Sequence, residues 1–154
     1  MAQFVSADEA VSLIRNGMSL GIGGFATFGA ADTLLRAIRR HYDREGTPAK
    51  LNIVAPACPG DSTENGWGMS VFGADTQIVD SVITAHVGQV PYLGREVAAN
   101  RIAAWLLPLG IFTQLFHAAA AGRPGVLTHV GKYTFVDPRV EGGRANQRAI
   151  DEDR

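Results

Sequence analysis

Apolar residues along this chain follow two patterns that alternate: short runs bounded by glycine or proline, and longer stretches repeating every three to four positions. The first short run, Leu20-Gly21-Ile22, passes directly into Gly23-Gly24-Phe25. Consecutive glycines reach positive φ without strain and admit another backbone or a ligand closely, so the run reads as a buried strand ending in a sharp turn. After Gly29 the repeat changes. Ala31, Leu34, Leu35, Ile38 and Tyr42 share one face of a helix predicted over 30–44. Strand, glycine turn and helix together bring backbone N–H groups and a positive helix end to the carboxyl edge of a sheet, where anionic ligands bind.

A short helix precedes this unit. Ser6-Ala7-Asp8-Glu9 has the form of a capping box, Ala7, Ala10, Val11 and Ile14 share a face, and Asn16-Gly17 is a stop signal. Further strands are predicted over 51–55, closed by Pro56, over 78–84, and over 102–107, stopped by Pro108. A helix over 91–100 starts at Pro91 and turns Leu93 and Val97 inward. Another over 109–121 carries Ile111, Phe112, Leu115, Phe116 and Ala119 in register, with Gly122 at its cap position. Residues 57–73 are rich in Gly, Pro, Asp, Ser and Asn and read as a long loop at a strand exit. The stretch 126–137 reads as short β-prone pieces around Gly131 followed by a turn at Asp137-Pro138.

Strands alternating with helices predict an α/β fold with a mostly parallel sheet flanked by helices on both faces. Residues 1–139 form the expected domain. Residues 140–154, polar and without a closing element, read as a tail or the start of a continuation. The run from Arg39 to Glu45 is expected to be a solvated helix end, because cations are favoured near the negative pole of a helix.

Composition narrows the function. The chain has 154 residues, 46% hydrophobic and 19% charged, which suits one globular domain. Its formal net charge of −1, with basic residues scattered, points away from nucleic acid as a partner. The residues Met1 to Val5 lack the form of a signal peptide, and no apolar run is long enough for a membrane span. Cys58 is the only cysteine, so neither an internal disulfide nor a thiolate metal cluster is expected, and a cytoplasmic location follows as the default.

The segment Asn16-Gly17-Met18-Ser19-Leu20-Gly21-Ile22-Gly23-Gly24-Phe25, with Gly29, resembles the signature of the amino-terminal (α) half of family I coenzyme A transferases. Gly21 stands inside the family's apolar triplet and Ala31 where the family has proline. The likeness continues through Leu107-Pro108-Leu109-Gly110, Ala120-Ala121-Gly122-Arg123-Pro124-Gly125-Val126 and Val130-Gly131 to Thr134-Phe135-Val136-Asp137-Pro138-Arg139 and Glu141-Gly142-Gly143, and is greatest to the single-chain acetate/propionate branch. It implies a CoA-transferase-like open sandwich and covalent exchange of CoA between carboxylic acids on a glutamate, through an acyl-glutamyl anhydride and a glutamyl-CoA thioester. That glutamate belongs to a Ser-Glu-Asn-Gly type motif in the carboxyl-terminal (β) half. The resemblance therefore implies no catalytic residue before residue 154, coenzyme A as substrate rather than a permanently bound cofactor, small carboxylic acids and acyl-CoA as ligands, and a β half or subunit within a homo- or hetero-oligomer.

On this basis Gly23, Gly24, Phe25, Gly29 and Gln89 are the expected oxyanion and substrate- or CoA-binding residues, against the alternatives of a purely structural turn and a loop hydrogen bond at Gln89. Glu64, in Ser62-Thr63-Glu64-Asn65-Gly66, superficially matches the catalytic motif but reads better as turn chemistry. His86 reads as a satisfied near-core histidine rather than a base, and Cys58 as a packed thiol. His117 stands where similar sequences often carry arginine. Trp67 and Met69 either line an acyl pocket or pack the loop. Two further readings are a non-catalytic module that pairs with a β-like chain and a thioester hydrolase on the same scaffold. An apolar face normally covered by the other half is expected to be exposed.

Overall fold

The computed structural model describes residues 3–152. Four strands, β1 (Ser19–Gly21), β2 (Leu51–Val54), β3 (Val79–Thr84) and β4 (Ala103–Leu106), lie in the order β1-β2-β3-β4, every neighbouring pair parallel. The helices are α1 (Ala7–Val11), α2 (Asp32–Glu45), α3 (Pro91–Ala98), α4 (Leu109–Ala120) and α5 (Gln147–Glu152). Because every crossover runs β-α-β or through the long loop, the four strand exits converge on one edge, as the sequence pattern predicts.

Local signals act where they stand. Ser6 Oγ accepts the Glu9 N–H at 3.2 Å while the Glu9 carboxylate accepts the Ser6 N–H at 2.7 Å, closing the capping box of α1. Gly46 ends α2 with φ +69, its N–H donating to Tyr42 O at 2.7 Å. Pro91 opens α3, which buries Tyr92, Leu93 and Val97.

The main core lies between one sheet face and helices α1 to α3. It holds Leu35 and Ile38 from α2, Ile53 and Val82 from the central strands, Leu93 from α3, and Met69 and Phe72 from the long loop. Strand alternation puts Gly21, Val54, Ile83 and Trp105, which are register partners, on the opposite face. There α5 seats Ala149 against Ala103 and Trp105, with Ile83 alongside. The sheet thus carries helices on both faces.

Five expectations change, four of them within residues 39–137. The loop over 57–73 contains a fully buried 3-10 turn, Met69–Phe72. Arg39, expected in a solvated helix end, is only 19% exposed. Its guanidinium donates to Val71 O at 3.2 Å, Phe72 O at 2.9 Å and Asp75, so it pins that turn to α2. No strand forms over 126–137 among the described residues; 126–129 is irregular and 130–137 is a series of turns and bends, with Leu127 and Val130 exposed. On α4 it is Ala118 that is buried, while Ala119 is exposed.

The polar stretch after residue 139 does carry a closing element. Leu106 N–H donates to Gly143 O at 2.7 Å and Ala145 N–H to Ala104 O at 2.8 Å, which joins the segment to the outer edge of β4. Asn146 Nδ2 then donates to Val97 O and Ile102 O, both at 2.8 Å, and α5 packs on the sheet. Tertiary hydrogen bonds, not apolar periodicity, hold this helix in place.

Candidate functional site

The candidate site is built at the carboxyl edge of the sheet. Ile22 N–H donates to Val54 O at 2.9 Å, extending the ladder one residue past β1. Gly24 follows with φ +117, and a Cβ there would stand 3.0 Å from both Phe28 O and Ala30 N. Only glycine fits this position. Phe25 N–H donates to Phe28 O and Phe28 N–H returns to Phe25 O, each at 2.9 Å, so Ala26 and Thr27 form the tip of a two-residue hairpin. Ala26 takes φ +48 there. Its carbonyl accepts the Gly60 N–H at 3.0 Å, which fastens the hairpin to the loop leaving β2.

This geometry divides the sequence candidates. The Phe25 amide is committed to Phe28, whereas no hydrogen bond among the described residues takes the N–H of Gly23 or Gly24. Gly23 has open space around it and is exposed, and the rings of Phe25 and Phe28 are 54% and 75% exposed. Gly29, at φ +70, returns the chain toward α2. Gln89 lies beyond β3, its carbonyl accepting the Ser62 N–H at 3.1 Å and its Oε1 accepting the Ser62 hydroxyl at 3.3 Å. With Oε1 so held, the Gln89 side-chain NH₂ is left as a donor. Ser62 is the residue that sequence reasoning missed. A serine in a polar loop carries no signal until the fold brings it against Gln89.

The other candidates separate as follows. Glu64 lies in an exposed turn and its carboxylate accepts from Arg95 Nη1 at 2.7 Å, which holds its pKa below the usual value. A paired, stabilised carboxylate is a weaker nucleophile, and the neighbouring Asp61 organises the turn by accepting the Thr63 and Trp67 N–H groups. Met69 is fully buried and packs the loop, while Trp67 is half-buried. The His86 ring is half-buried at the β3 exit and makes no hydrogen bond among the described residues, while its carbonyl accepts from Thr84 Oγ1 at 3.1 Å. His117 is exposed on α4, beside a shallow cleft shared with Arg123. At the exits of β3 and β4 an apolar hollow of about 350 Å³ is walled by Ala85, Leu106, Leu107 and Phe135.

Cys58 sits under the site with φ +41 and no exposed surface. Burial pushes its thiol up to about 12, against a hydrogen bond with Thr84 that acts the other way. The folded protein is expected to resist Ellman's reagent at neutral pH. Labelling should appear only across the denaturation transition, and rapid labelling of the native chain would contradict the packed thiol.

Asp137 organises the loop between α4 and α5. Its carboxylate accepts the N–H groups of Tyr133 and Arg139 at 2.9 and 3.0 Å and both arms of the Arg139 guanidinium, and the side chain is 5% exposed. Foremost the Arg139 side chain, and then the two amides, hold its pKa far below the carboxylate range. A pKa lowered by folding means a contribution that is fully present above the unfolded value of about 3.9 and is lost as pH falls below it toward the folded value. Acid titration followed by NMR of the Tyr133 amide should therefore show this loop loosening below about pH 4, and Asp137→Asn should flatten that dependence.

Comparison with known proteins now assigns the class. The family model described as coenzyme A transferase matches residues 4–150, and the chain belongs to that family, matching within the amino-terminal (α) half of a family I enzyme. It is 36% identical over 147 residues to a caffeate CoA-transferase of Acetobacterium woodii, covering 96% of this chain and 28% of that protein. Over 146 residues it is 36% identical to the acetate CoA-transferase YdiF of Escherichia coli K12, covering 93% of this chain and 27% of that one. The chain therefore spans little more than a quarter of these relatives. It also matches one subunit of a probable succinyl-CoA:3-ketoacid coenzyme A transferase of Bacillus subtilis, 29% identical, with 90% of this chain and 56% of that polypeptide covered. The crystal structure of the YdiF apoenzyme from Escherichia coli O157:H7 superposes with a TM-score of 0.81 at 35% identity, over 94% of this chain and 28% of that one. A thioester complex of the same enzyme with CoA gives 0.81 at 36% identity, over 93% and 29%. No helix among the described residues is long and apolar enough to cross a membrane.

Proposed function

We propose that this chain is the amino-terminal portion of an acyl-CoA:carboxylate CoA-transferase of the acetate, propionate or 3-oxoacid type. It supplies the oxyanion turn and part of the acyl and CoA surface, while the nucleophilic glutamate comes from a carboxyl-terminal half or a β-type subunit. One observation carries the reading: at the exit of β1, in a family member, the Gly23 and Gly24 amides have no acceptor among the described residues although the adjacent Phe25 amide does.

Attack of a carboxylate on a thioester carbonyl converts the C=O into an oxyanion. Preorganised N–H donors at that oxygen are worth about 2.7–4 kcal/mol apiece in known enzymes. Gly23 and Gly24 stabilise the oxyanion, and the Gln89 NH₂, fixed through Ser62, donates to the thioester oxygen or the acyl carboxylate. The Phe25 ring and the backbone at Gly29 contact the ligand. Collapse of the tetrahedral species breaks the C–S bond and expels the CoA thiolate, leaving an acyl-glutamyl anhydride. The thiolate then attacks the glutamyl carbonyl, releases the carboxylate and forms the glutamyl-CoA thioester, which the acceptor acid reverses. Coenzyme A is thus a substrate, no cofactor is held permanently, and in this reading the assembly is an oligomer working in the cytoplasm.

The purified 154-residue chain should show negligible acyl-CoA:acetate exchange, with activity appearing on mixing with a β-type half. Robust exchange or thioester hydrolysis by the chain alone refutes the division of labour. Borohydride trapping after acyl-CoA addition should label a glutamate on the partner and leave Glu64 unmodified.

A further inference from the structure

A cleft of about 560 Å³ lies at the pole of the sheet opposite the glycine turn. It is bounded by the amino ends of β2 to β4, the loop over 73–77, the carboxyl end of α3 and Arg148 of α5. Its volume is that of a cleft for a small organic molecule. The acceptors of its wall are already engaged. Both Glu96 carboxylate oxygens accept from Arg101, at 2.6 Å from Nε and 2.7 Å from Nη2, and Asn100 Oδ1 accepts the Gln147 N–H at 2.9 Å. Arg148 donates to Asp80 at 2.7 Å and to Glu152 at 2.9 Å. What stays open is donors. Arg101 Nη1 and Asn100 Nδ2 make no hydrogen bond among the described residues, and Lys50 Nζ stands 3.9 Å from an Asp80 oxygen that Arg148 already holds.

Tyr92 adds an independent sign. It lines the cleft from the first turn of α3, is 3% exposed, and its hydroxyl is buried with no hydrogen-bond partner. Burial pushes the phenol above its ordinary pKa, which keeps it a proton donor at neutral pH. A buried O–H without an acceptor is costly, and an acceptor entering the cleft relieves that cost.

We propose that this cleft binds a small organic phosphate, at a site separate from the carboxyl edge of the sheet. Open donors facing engaged acceptors select an anion. Phosphate is favoured over carboxylate by the way the donors are presented. The Arg101 fork, the arrangement that grips a planar carboxylate, is filled by Glu96. The remaining ammonium, guanidinium arm, amide and phenol each offer single bonds, which suit a tetrahedral anion with several oxygens. Inorganic phosphate leaves most of the volume unfilled, so a sugar or nucleoside part occupies the rest, against the apolar wall at Val79 and Ile102. Because the cleft lies at the amino ends of the strands and the glycine turn at a carboxyl end, the ligand and an acyl-CoA at that turn do not compete. The binding requires none of the transferase chemistry.

The test is an NMR titration of the 154-residue chain with ADP, ribose 5-phosphate, adenosine and inorganic phosphate. ADP or ribose 5-phosphate is expected to saturate the chain about tenfold more tightly than adenosine or inorganic phosphate. Amide shifts should be confined to residue 50 and residues 73–77 and 96–102, and absent from 23–29 and 89. Which of the two esters binds better distinguishes a nucleotide from a sugar phosphate. Lys50→Gln combined with Arg101→Gln, both exposed side chains, should weaken binding about tenfold. Tyr92→Phe, which removes only the hydroxyl, should weaken it about fivefold with no loss of stability in urea. Should Tyr92→Phe fail to fold by circular dichroism, the exposed pair decides. No saturable binding of either ester below about 5 mM, shifts at the carboxyl edge, unchanged binding by either folded variant, or inorganic phosphate binding as tightly as both esters each overturns the proposal.

Discussion

Replacing Gly24 by alanine is expected to lower acyl transfer by the assembled enzyme about 10²–10³-fold while destabilising the chain by about 1–3 kcal/mol. Gly24 holds φ +117, and an added Cβ would meet the backbone at Phe28 O and Ala30 N, both at 3.0 Å. Neither contact can rotate away as a flexible side chain would. Relief requires the hairpin to shift, and any shift re-aims the Gly23 and Gly24 amides. Gly23→Ala is the control, since its Cβ meets nothing within 4 Å and its φ is not positive. It should change stability by no more than about 0.5 kcal/mol. Urea denaturation together with kcat in the reconstituted assembly checks both variants. A Gly24→Ala enzyme of normal kcat would remove the turn from the mechanism.

The largest stability effect is expected at Phe72. Its side chain is fully buried in the main core at the end of the 3-10 turn, and its carbonyl accepts from both Arg39 Nη1 and Thr76 Oγ1. Phe72→Ala should cost about 3–5 kcal/mol, through lost burial and the cavity left behind. For a chain of this size that corresponds to a fall in melting temperature of about 2–4 °C per kcal/mol. Because the same turn anchors the loop that carries Gly60 and Ser62, amide exchange over 57–73 should speed up more than exchange in β2 and β3. Uniform acceleration would mean that the loop opens only with the whole domain.

Wherever a signal was local, the sequence was legible. The capping box at Ser6 and Glu9, the stop at Gly46, Pro91 at the first turn of α3 and the apolar runs of β2 to β4 each involve residues within a few positions of one another. The strand-turn-helix unit at Gly23 and Gly24 was readable for the same reason, since adjacent glycines permit the positive φ that Gly24 takes. The 3-10 turn was hidden because polar and glycine-rich neighbours mask its burial, and α5 because its anchors, Asn100, Asn146 and the β4 edge, are brought together only by folding.

Sequence alone thus determined the order of the four strands and of helices α1 to α4, their parallel pairing and the position of the glycine turn at a strand exit. Which amides that turn leaves unengaged was decided by tertiary structure, since the reciprocal Phe25 and Phe28 bonds and the Ala26 to Gly60 contact depend on loop closure. The same holds for the orientation of Gln89 by Ser62, for Arg39 as an anchor rather than a solvated charge, and for the cleft that brings Lys50 and Arg101 together. A periodic pattern reports which side of an element is apolar. Only the assembled layers settle what, if anything, lies against it.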